Sequence, residues 1–424
     1  MRLLDKTTVS AGVAAALLLS AGLAPAASYR VFPVPVANPD YGSRALVTNP
    51  HDATASPFGW HDTNGIAGAD FTTLQGNNVH VYLDRDANNL PDGAGPDGGA
   101  LLAFDYAYAP TQAPTEYFAA LAANAFYWGN MAHDIFYRHG FDEAAGNFQA
   151  NNYGRGGLGG DYLKMEVADG SGTNNLNWAL SNDGTSPRLQ MFIWTSTVPN
   201  REASFDASVM LYGYGKIVEG RLAGVTCNSN AESPTSGYAD FLALLLTTDF
   251  HSLSATTTRG VGTYLVGQPT TGVGLRPYPY SYNQNANPLQ YANTRTLAAP
   301  HNTGAVYASA LWDLTWLMVL RHGASHDWFN GSGAENRMLR LVLRALDRQP
   351  CNPGFVDARD ALLLADTELY AGADRCLIWQ AFGRRGLGQS ATQGSIATNS
   401  DNTAAFDLPL TCNPDFIFAS GFNP

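Results

Sequence analysis

The order of strand-like and helix-like segments constrains the fold of this chain more than any other feature. Residues 28–113 are rich in turns and in short alternating stretches such as "NNVHVYLDRD", a pattern typical of strands. A long helix is predicted in "PTEYFAALAANAFYWGNMAHDIFYRHG", from a cap at Thr115 to a stop at Gly140, and Gly-punctuated strands return over 146–200. Helical patterns then dominate, at 206–222, 236–250, 304–322, 334–348, 354–369 and 373–384.

This order predicts an α+β fold built from two lobes. A β-rich N-terminal lobe is expected over 28–205 and a mainly helical C-terminal lobe over 206–400. A C-terminal tail over 401–424 ends in an IF-x-x-GF pattern. In such an arrangement an active cleft is expected between the two lobes.

The first 27 residues have the features of a secretory signal peptide. Arg2 and Lys6 precede the apolar stretch "AGVAAALLLSAGLA", and the small residues "APAA" place cleavage near Ala26 or Ala27. No later apolar run is expected to reach the roughly 20 residues that span a bilayer. We therefore expect a soluble, secreted mature protein, extracellular or periplasmic, with no membrane partner. Loss of the signal changes the net charge from −12 to −13, and so acidic a surface disfavours nucleic acid as a partner.

The four cysteines favour two disulfides over a metal site, because their number is even and their spacing wide in an exported chain. Connectivity does not follow from sequence alone. Cys351 and Cys376 flank one helical segment, which favours that pair and leaves Cys227 with Cys412.

One loop has the spacing of a calcium site. The stretch "DRDANNLPDG" places Asp84, Asp86, Asn88 and Asp92 at alternating positions, but the glycine and the bidentate glutamate of a complete calcium loop are missing. We interpret it as a solvated turn.

Two histidine pairs have no glutamate in a metalloprotease arrangement. His133 and His139 are six residues apart, which puts them on different helix faces. His322 and His326 are four apart, but Gly323 indicates a helix end between them. Both pairs are interpreted as structural or surface histidines.

At "WGNMAHDIFYRHGFDEAAGNFQANNYGRGGLGGD" the chain resembles the fungalysins, secreted zinc metalloendopeptidases with a thermolysin-like two-lobe catalytic domain. The resemblance continues through "DGSGTNNLNWALSNDGTSPRLQMFIW", "GLRPYPYS", "PHNTGAVYASALWDL" and "RCLIWQAFGRRGLG", and covers nearly the whole mature chain. It implies the fold and a zinc-dependent endopeptidase activity. The long propeptide usual in the family is expected to be missing.

The zinc motifs of the family are replaced in this sequence. Fungalysins carry HExxH before an "NRLTG"-like segment, and "GRLAG" (220–224) fixes the register here. The histidine positions become Tyr212 and Lys216, and the general-base glutamate becomes Gly213. The third ligand position, in "SGYADF", is Ser236. Tyrosine, lysine and serine are poor zinc ligands at neutral pH, so no zinc or other cofactor is expected unless the family activity is retained.

Three family features are retained, as the resemblance implies. Asp240 matches an aspartate that orients a zinc ligand, and His301 matches the histidine that stabilises the transition-state oxyanion. The segment 174–178 resembles an edge strand that pairs with bound peptide; its residues are Asn174, Asn175, Leu176, Asn177 and Trp178. The alternatives are a surface carboxylate, a residue before a helix cap and an ordinary edge strand.

Two contacts are expected in place of the metal. Tyr212 and Lys216 lie four apart on one helix face, so Tyr212 is predicted to fill the volume and offer its hydroxyl to Asp240. Lys216 is predicted to supply the positive charge beside Asp240, because an unpaired buried carboxylate is costly.

Three functions follow from these observations. The first is a pseudopeptidase that binds peptides or a protein partner without cleaving them. The second is an active metalloendopeptidase with an unusual ligand set. The third is a metal-free hydrolase using a Ser236–Lys216 dyad, which Asp240 disfavours because it would raise the pKa of the lysine.

Overall fold

The computed structural model describes residues 26–413. Residues 1–25 of the expected signal peptide and the IF-x-x-GF pattern lie outside the described residues. The predicted α+β class is confirmed: short strands occupy the first half of the described chain, and six of its seven α-helices follow the last strand.

The strands form three small sheets. Their bounds are β1 Ser28–Val31, β2 Ala45–Thr48, β3 Val79–Leu83, β4 Ala103–Phe104, β5 Leu163–Val167, β6 Leu176–Ala179, β7 Arg188–Met191, β8 Ile193–Trp194 and β9 Arg201–Glu202. The orders are β2-β1-β4, β3-β5-β7-β6 and β8-β9. In the four-stranded sheet β3, β5 and β7 are parallel, while β6 runs antiparallel to β7 and forms one edge.

The helices follow the predicted order with shifted ends. Their bounds are α1 Phe118–Arg138, α2 Ala207–Ala223, α3 Pro234–Leu246, α4 His301–His322, α5 Ala334–Arg348, α6 Phe355–Tyr370 and α7 Arg375–Arg384. Helix α1 starts later than predicted because Pro114–Glu116 form a separate 3₁₀ turn, so Thr115 does not cap it. Helix α4 starts three residues earlier than predicted, which places His301 in its first turn.

Helix α4 runs through the core of the helical half. Within residues 26–413 it alone is long and apolar enough to cross a membrane by length and composition. The expectation that no later run would reach this length was therefore wrong. Since 83% of its apolar window is buried inside the fold, α4 has the surroundings of a core helix.

The predicted disulfide pairing is wrong. The structure joins Cys227 to Cys351 and Cys376 to Cys412. Cys227 lies in the loop after α2 and Cys351 in the loop after α5, and the backbone carbonyl of Cys227 accepts from Asn352. Flanking one helix does not bring two cysteines together, because the ends of a helix as long as α6 lie over 20 Å apart.

The calcium-like loop is partly buried, whereas the histidines agree with their interpretation as structural or surface residues. Asp84 is fully buried, so the solvated-turn interpretation was wrong for this residue, although Asp86 and Asp92 are exposed. His133 is buried against Asp134, with Nδ1 2.9 Å from the carboxylate. His322 bonds Asp374, and the ring of exposed His326 stacks on another histidine.

Candidate functional site

A cleft of about 280 Å³ opens between the edge strand β6 and the helices α2 and α4. One wall is the edge strand with the two asparagines before it; the other consists of the starts of α2 and α4 and the segment 261–276. The lining residues are Asn174, Asn175, Leu176, Trp178, Trp194, Val209, Tyr212, Val261, Leu275, Arg276, His301 and Asn302.

Helix α2 crosses the floor of this cleft despite three interior glycines, Gly213, Gly215 and Gly220. Asp206 caps it, accepting from the backbone N and the hydroxyl of Ser208. Gly215 allows close packing on α3, because a β-carbon there would lie 3.1 Å from the α-carbon of Ala239. The helix-propensity cost of each glycine, roughly 1 kcal/mol relative to Ala, is therefore offset by tertiary packing.

Gly213, at the general-base position, faces a filled volume. A β-carbon on Gly213 would lie 2.3 Å from Cδ1 of Leu189 and 2.7 Å from Cδ2 of Leu176. These leucines come from β7 and β6 and are buried. The leucine side chains thus occupy the space that the side chain of a glutamate at position 213 would enter.

Tyr212 is buried and bonds His301, not Asp240. Its hydroxyl lies 2.9 Å from Nδ1 of His301 and donates to Oγ of Ser236 at 3.3 Å. The ring of Trp178 meets it edge-on at 5.8 Å. The prediction that Tyr212 fills the volume agrees with this burial, whereas the predicted bond to Asp240 is wrong. Burial, reinforced by the charge of Asp240, raises the pKa of Tyr212.

Lys216 forms a buried ion pair with Glu219. Nζ donates to Oε2 at 2.8 Å, and the two side chains are 5% and 0% exposed. The predicted pairing with Asp240 is therefore wrong. Burial raises the pKa of Glu219, although the lysine beside it acts in the opposite direction. Glu219 was overlooked, although its spacing of three residues from Lys216 on a helix is a direct sequence signal.

Asp240 has partners from a distant loop. Arg276 donates to both carboxylate oxygens at 2.6 Å, and the hydroxyl of Tyr280 donates at 2.5 Å. Burial opposes the charged guanidinium, but Asp240 outweighs it and raises the pKa of Arg276. Both partners lie in "GLRPYPYS". No local sequence pattern indicates that this segment supplies the charge that balances Asp240.

His301 stands at the N-terminal end of α4, on the rim of the cleft. Burial and the positive charge of Arg276 lower the pKa of its imidazole. Both effects favour the neutral ring, whose Nδ1 shares a hydrogen bond with the hydroxyl of Tyr212.

Residues 176–178 of the predicted peptide-binding segment lie in the edge strand β6, Asn174 and Asn175 precede it, and the side chain of Asn177 points away from the cleft. Asn174, Asn175, Leu176 and Trp178 line the cavity. Asn177 does not, because successive side chains of a strand point to opposite faces. Its amide donates to Oε1 of Gln190 on β7 at 2.8 Å.

The residues at the ligand positions do not fit zinc. The ammonium group of Lys216 is cationic and bonded to Glu219, and Asp240 is neutralised by Arg276. The hydroxyls of Tyr212 and Ser236 bond one another, and the pKa of Tyr212 is raised, which disfavours a phenolate ligand. The same ion pair disfavours Lys216 as the base of a Ser236–Lys216 dyad, since a catalytic lysine must lose its proton.

Comparisons with known proteins agree on one family. The sequence profile described as Fungalysin metallopeptidase (M36) matches residues 28–391. An "Extracellular metalloproteinase MEP" from Pyricularia oryzae is 37% identical over 381 residues, which cover 86% of this chain and 59% of the relative. A protein of the same name from Fusarium vanettenii is 35% identical over 399 residues, covering 90% and 61%.

Among solved structures, the precursor of protealysin, a metalloproteinase from Serratia proteamaculans, matches 77% of this chain and 91% of its own. Its TM-score is 0.43 and its sequence identity 12%. The chain spans about 60% of the length of the curated relatives named above. With a profile match over most of its length and relatives above one-third identity, the chain belongs to the fungalysin metallopeptidase family.

Proposed function

We propose that this chain is a secreted, non-hydrolysing member of the fungalysin family that binds extended peptides in the cleft. The observation that carries the proposal is the packing opposite Gly213. Two leucine side chains fill the space beside the general-base position, and glycine itself has no group that could move a proton.

The remaining wall of the cleft suits a peptide in extended conformation. Strand β6 pairs with β7 on one side only, so its other edge offers backbone donors and acceptors for strand addition. Val209, Val261 and Leu275 give the opposite wall an apolar surface. The ligand is therefore a peptide, or a segment of a partner protein, that places an apolar side chain between these residues.

The alternative is an active zinc endopeptidase, which family membership and the names of the relatives favour. The two functions differ in one measurement: hydrolysis of unfolded casein by the purified mature chain, with and without added zinc. We expect no hydrolysis above background in either condition. Hydrolysis by a homogeneous preparation that 1,10-phenanthroline abolishes would overturn the proposal.

Binding needs its own test, because loss of hydrolysis alone does not show a peptide site. A library of fluorescently labelled decapeptides is titrated against the chain and its Trp178→Ala variant. We expect binding of apolar-centred peptides that weakens by about 1 kcal/mol or more in the variant, since Trp178 lines the cavity. Leu320→Ala is the control, because Leu320 is 81% exposed and does not line the cleft. Equal binding by both variants would remove the cleft from the interaction.

A further inference from the structure

Three carboxylates meet beside the four-stranded sheet, away from the cleft. Asp84, Glu166 and Asp169 each offer an oxygen that lies within 4.8 Å of the other two. The three residues are 0%, 0% and 2% exposed. Carboxylates are rarely buried together without a compensating charge, because desolvation and mutual repulsion both act against their ionised forms.

The strand register brings these residues together. β3 and β5 are parallel and pair Tyr82 with Glu166, so both strands end at the same edge of the sheet. Asp84 follows β3 directly, and Asp169 follows β5 by two residues. The amide of Gly170 donates to the carbonyl of Asp84 at 2.8 Å. A β-carbon on Gly170 would lie 2.0 Å from the carbonyl oxygen of Arg85, so only glycine permits this contact.

The nearby positive charge is insufficient for three carboxylates. Nε of Arg188 lies 3.6 Å from Oε2 of Glu166, beyond hydrogen-bond distance, and that arginine is 29% exposed. Oε1 of Glu166 accepts from the hydroxyl of Tyr82 at 2.7 Å. Oε2 is buried and has no hydrogen-bond partner among the described residues. Glu166 thus presents a buried oxygen that accepts no hydrogen bond from the described residues and faces the guanidinium of Arg188 at 3.6 Å, within an acidic cluster.

The ionisation of Glu166 reflects these surroundings. Burial, and to a smaller extent the neighbouring Asp169, raises the pKa of Glu166 to about 7.

We propose that Asp84, Glu166 and Asp169 bind a divalent cation of the hard, oxygen-preferring class, with Ca²⁺ as the ion in an exported protein. Buried carboxylate oxygens without nitrogen or sulfur donors match the ligands that Ca²⁺ takes. Both aspartates are already oriented: Asn88 and Asn89 donate backbone N–H to the two oxygens of Asp84. Ser171 donates to Oδ1 of Asp169 through its backbone N–H and its hydroxyl, and Gln190 donates to Oδ2 at 2.6 Å. Such partners hold ligands in place around a metal.

The neighbouring exposed group Asp84, Asp86 and Asp92 is the competing location. Its members other than Asp84 are solvated, and backbone amides of the same loop donate to Asp86 and Asp92. These carboxylates therefore lack the unsatisfied buried oxygen that distinguishes the proposed site.

Calorimetric titration of Ca²⁺ into the chelator-treated, desalted full chain at mildly alkaline pH tests the proposal. We expect saturable binding at one site and a higher melting temperature with Ca²⁺. Glu166→Gln and Asp169→Asn should each weaken binding by about 10-fold or more, the scale on which altered metal surroundings act. Asp86→Asn, the matched control from the exposed loop, should leave the affinity within a few-fold. Circular dichroism checks that each variant is folded. If only one of Glu166→Gln and Asp169→Asn folds, that variant alone is sufficient for the test.

Two results would overturn the proposal. Binding that survives Glu166→Gln and Asp169→Asn but is lost in Asp86→Asn would place the ion in the exposed loop. Absence of Ca²⁺ binding by the native chain would show that a proton alone neutralises the cluster. Tb³⁺ luminescence gives an independent readout, because Tyr82 bonds Glu166 and can sensitise an ion held there.

Discussion

The buried pair of Lys216 and Glu219 permits a quantitative test of how the former ligand position is stabilised. Replacing Lys216 by Met keeps much of the side-chain volume and removes the charge. Glu219 then remains fully buried, and its Oε1 already has no hydrogen-bond partner among the described residues. Removing one partner of a buried pair costs about 3–5 kcal/mol, whereas an exposed pair contributes at most about 1 kcal/mol. Exposures of 5% and 0% place this pair in the first class.

A double-mutant cycle separates the pair from its surroundings. In Lys216→Met with Glu219→Leu both charges are gone, so we expect recovery of most of the loss, since buried pairs replaced by hydrocarbon are often neutral or stabilising. Urea unfolding followed by circular dichroism gives the free energy of unfolding of each variant.

A second cycle, Lys216→Met with Asp240→Asn, is the control. Asp240 has Arg276 as its bidentate partner, so its coupling to Lys216 should stay below about 1 kcal/mol. The reasoning fails if Lys216→Met costs less than about 1 kcal/mol, or if Lys216 couples more strongly to Asp240 than to Glu219.

Three further results are expected. Gly213→Ala should destabilise the fold by up to about 2 kcal/mol in thermal unfolding, because overpacking against two leucines exceeds the gain in helix propensity. The control Gly95→Ala has open space around it and should be nearly neutral, so a larger loss of stability in Gly95→Ala than in Gly213→Ala would contradict the packing. Burial raises the pKa of Glu202 from 4.5 to about 7, so the folded state holds this proton more tightly than the unfolded chain. The free energy of unfolding should therefore fall as the pH rises from about 4.5 to 7. Glu202→Gln should flatten that slope in urea titrations, and an unchanged slope would exclude Glu202 as its source. Replacing both cysteines of the Cys227–Cys351 disulfide, whose sequence separation is 124, should lower the melting temperature more than the same change in Cys376–Cys412, whose separation is 36. The reason is that a longer closed loop restrains the unfolded chain more, and equal losses would contradict it.

The fold class and the helix order could be predicted because they depend on local periodicity and on motifs spread along the chain. The resemblance, through "GRLAG", also gave the register of α2, and Tyr212 lines the cleft in the structure, whereas the role of Gly213 stays a prediction. These features need no knowledge of which distant residues meet.

The partner of Lys216 could be predicted from helical spacing, but the partner of Asp240 could not. Asp240 is neutralised by Arg276, 36 positions along the chain, and only the tertiary fold brings them together. The disulfides failed for the same reason, since pairing depends on which loops meet. Strand alternation alone predicts that the side chain of Asn177 points away from the cleft, and its backbone role in peptide pairing stays a prediction.

The hydrocarbon packing beside Gly213 also limits the mutational routes between this chain and one that carries the HExxH motif. A glutamate introduced at Gly213 alone would collide with Leu189 and Leu176. A histidine introduced at Lys216 alone would leave Glu219 without its cation. Both of these single steps toward the zinc motif are therefore expected to be destabilising, and the order of substitutions determines whether a folded intermediate exists. The leucines would have to become smaller first, a change that gives no catalytic benefit by itself.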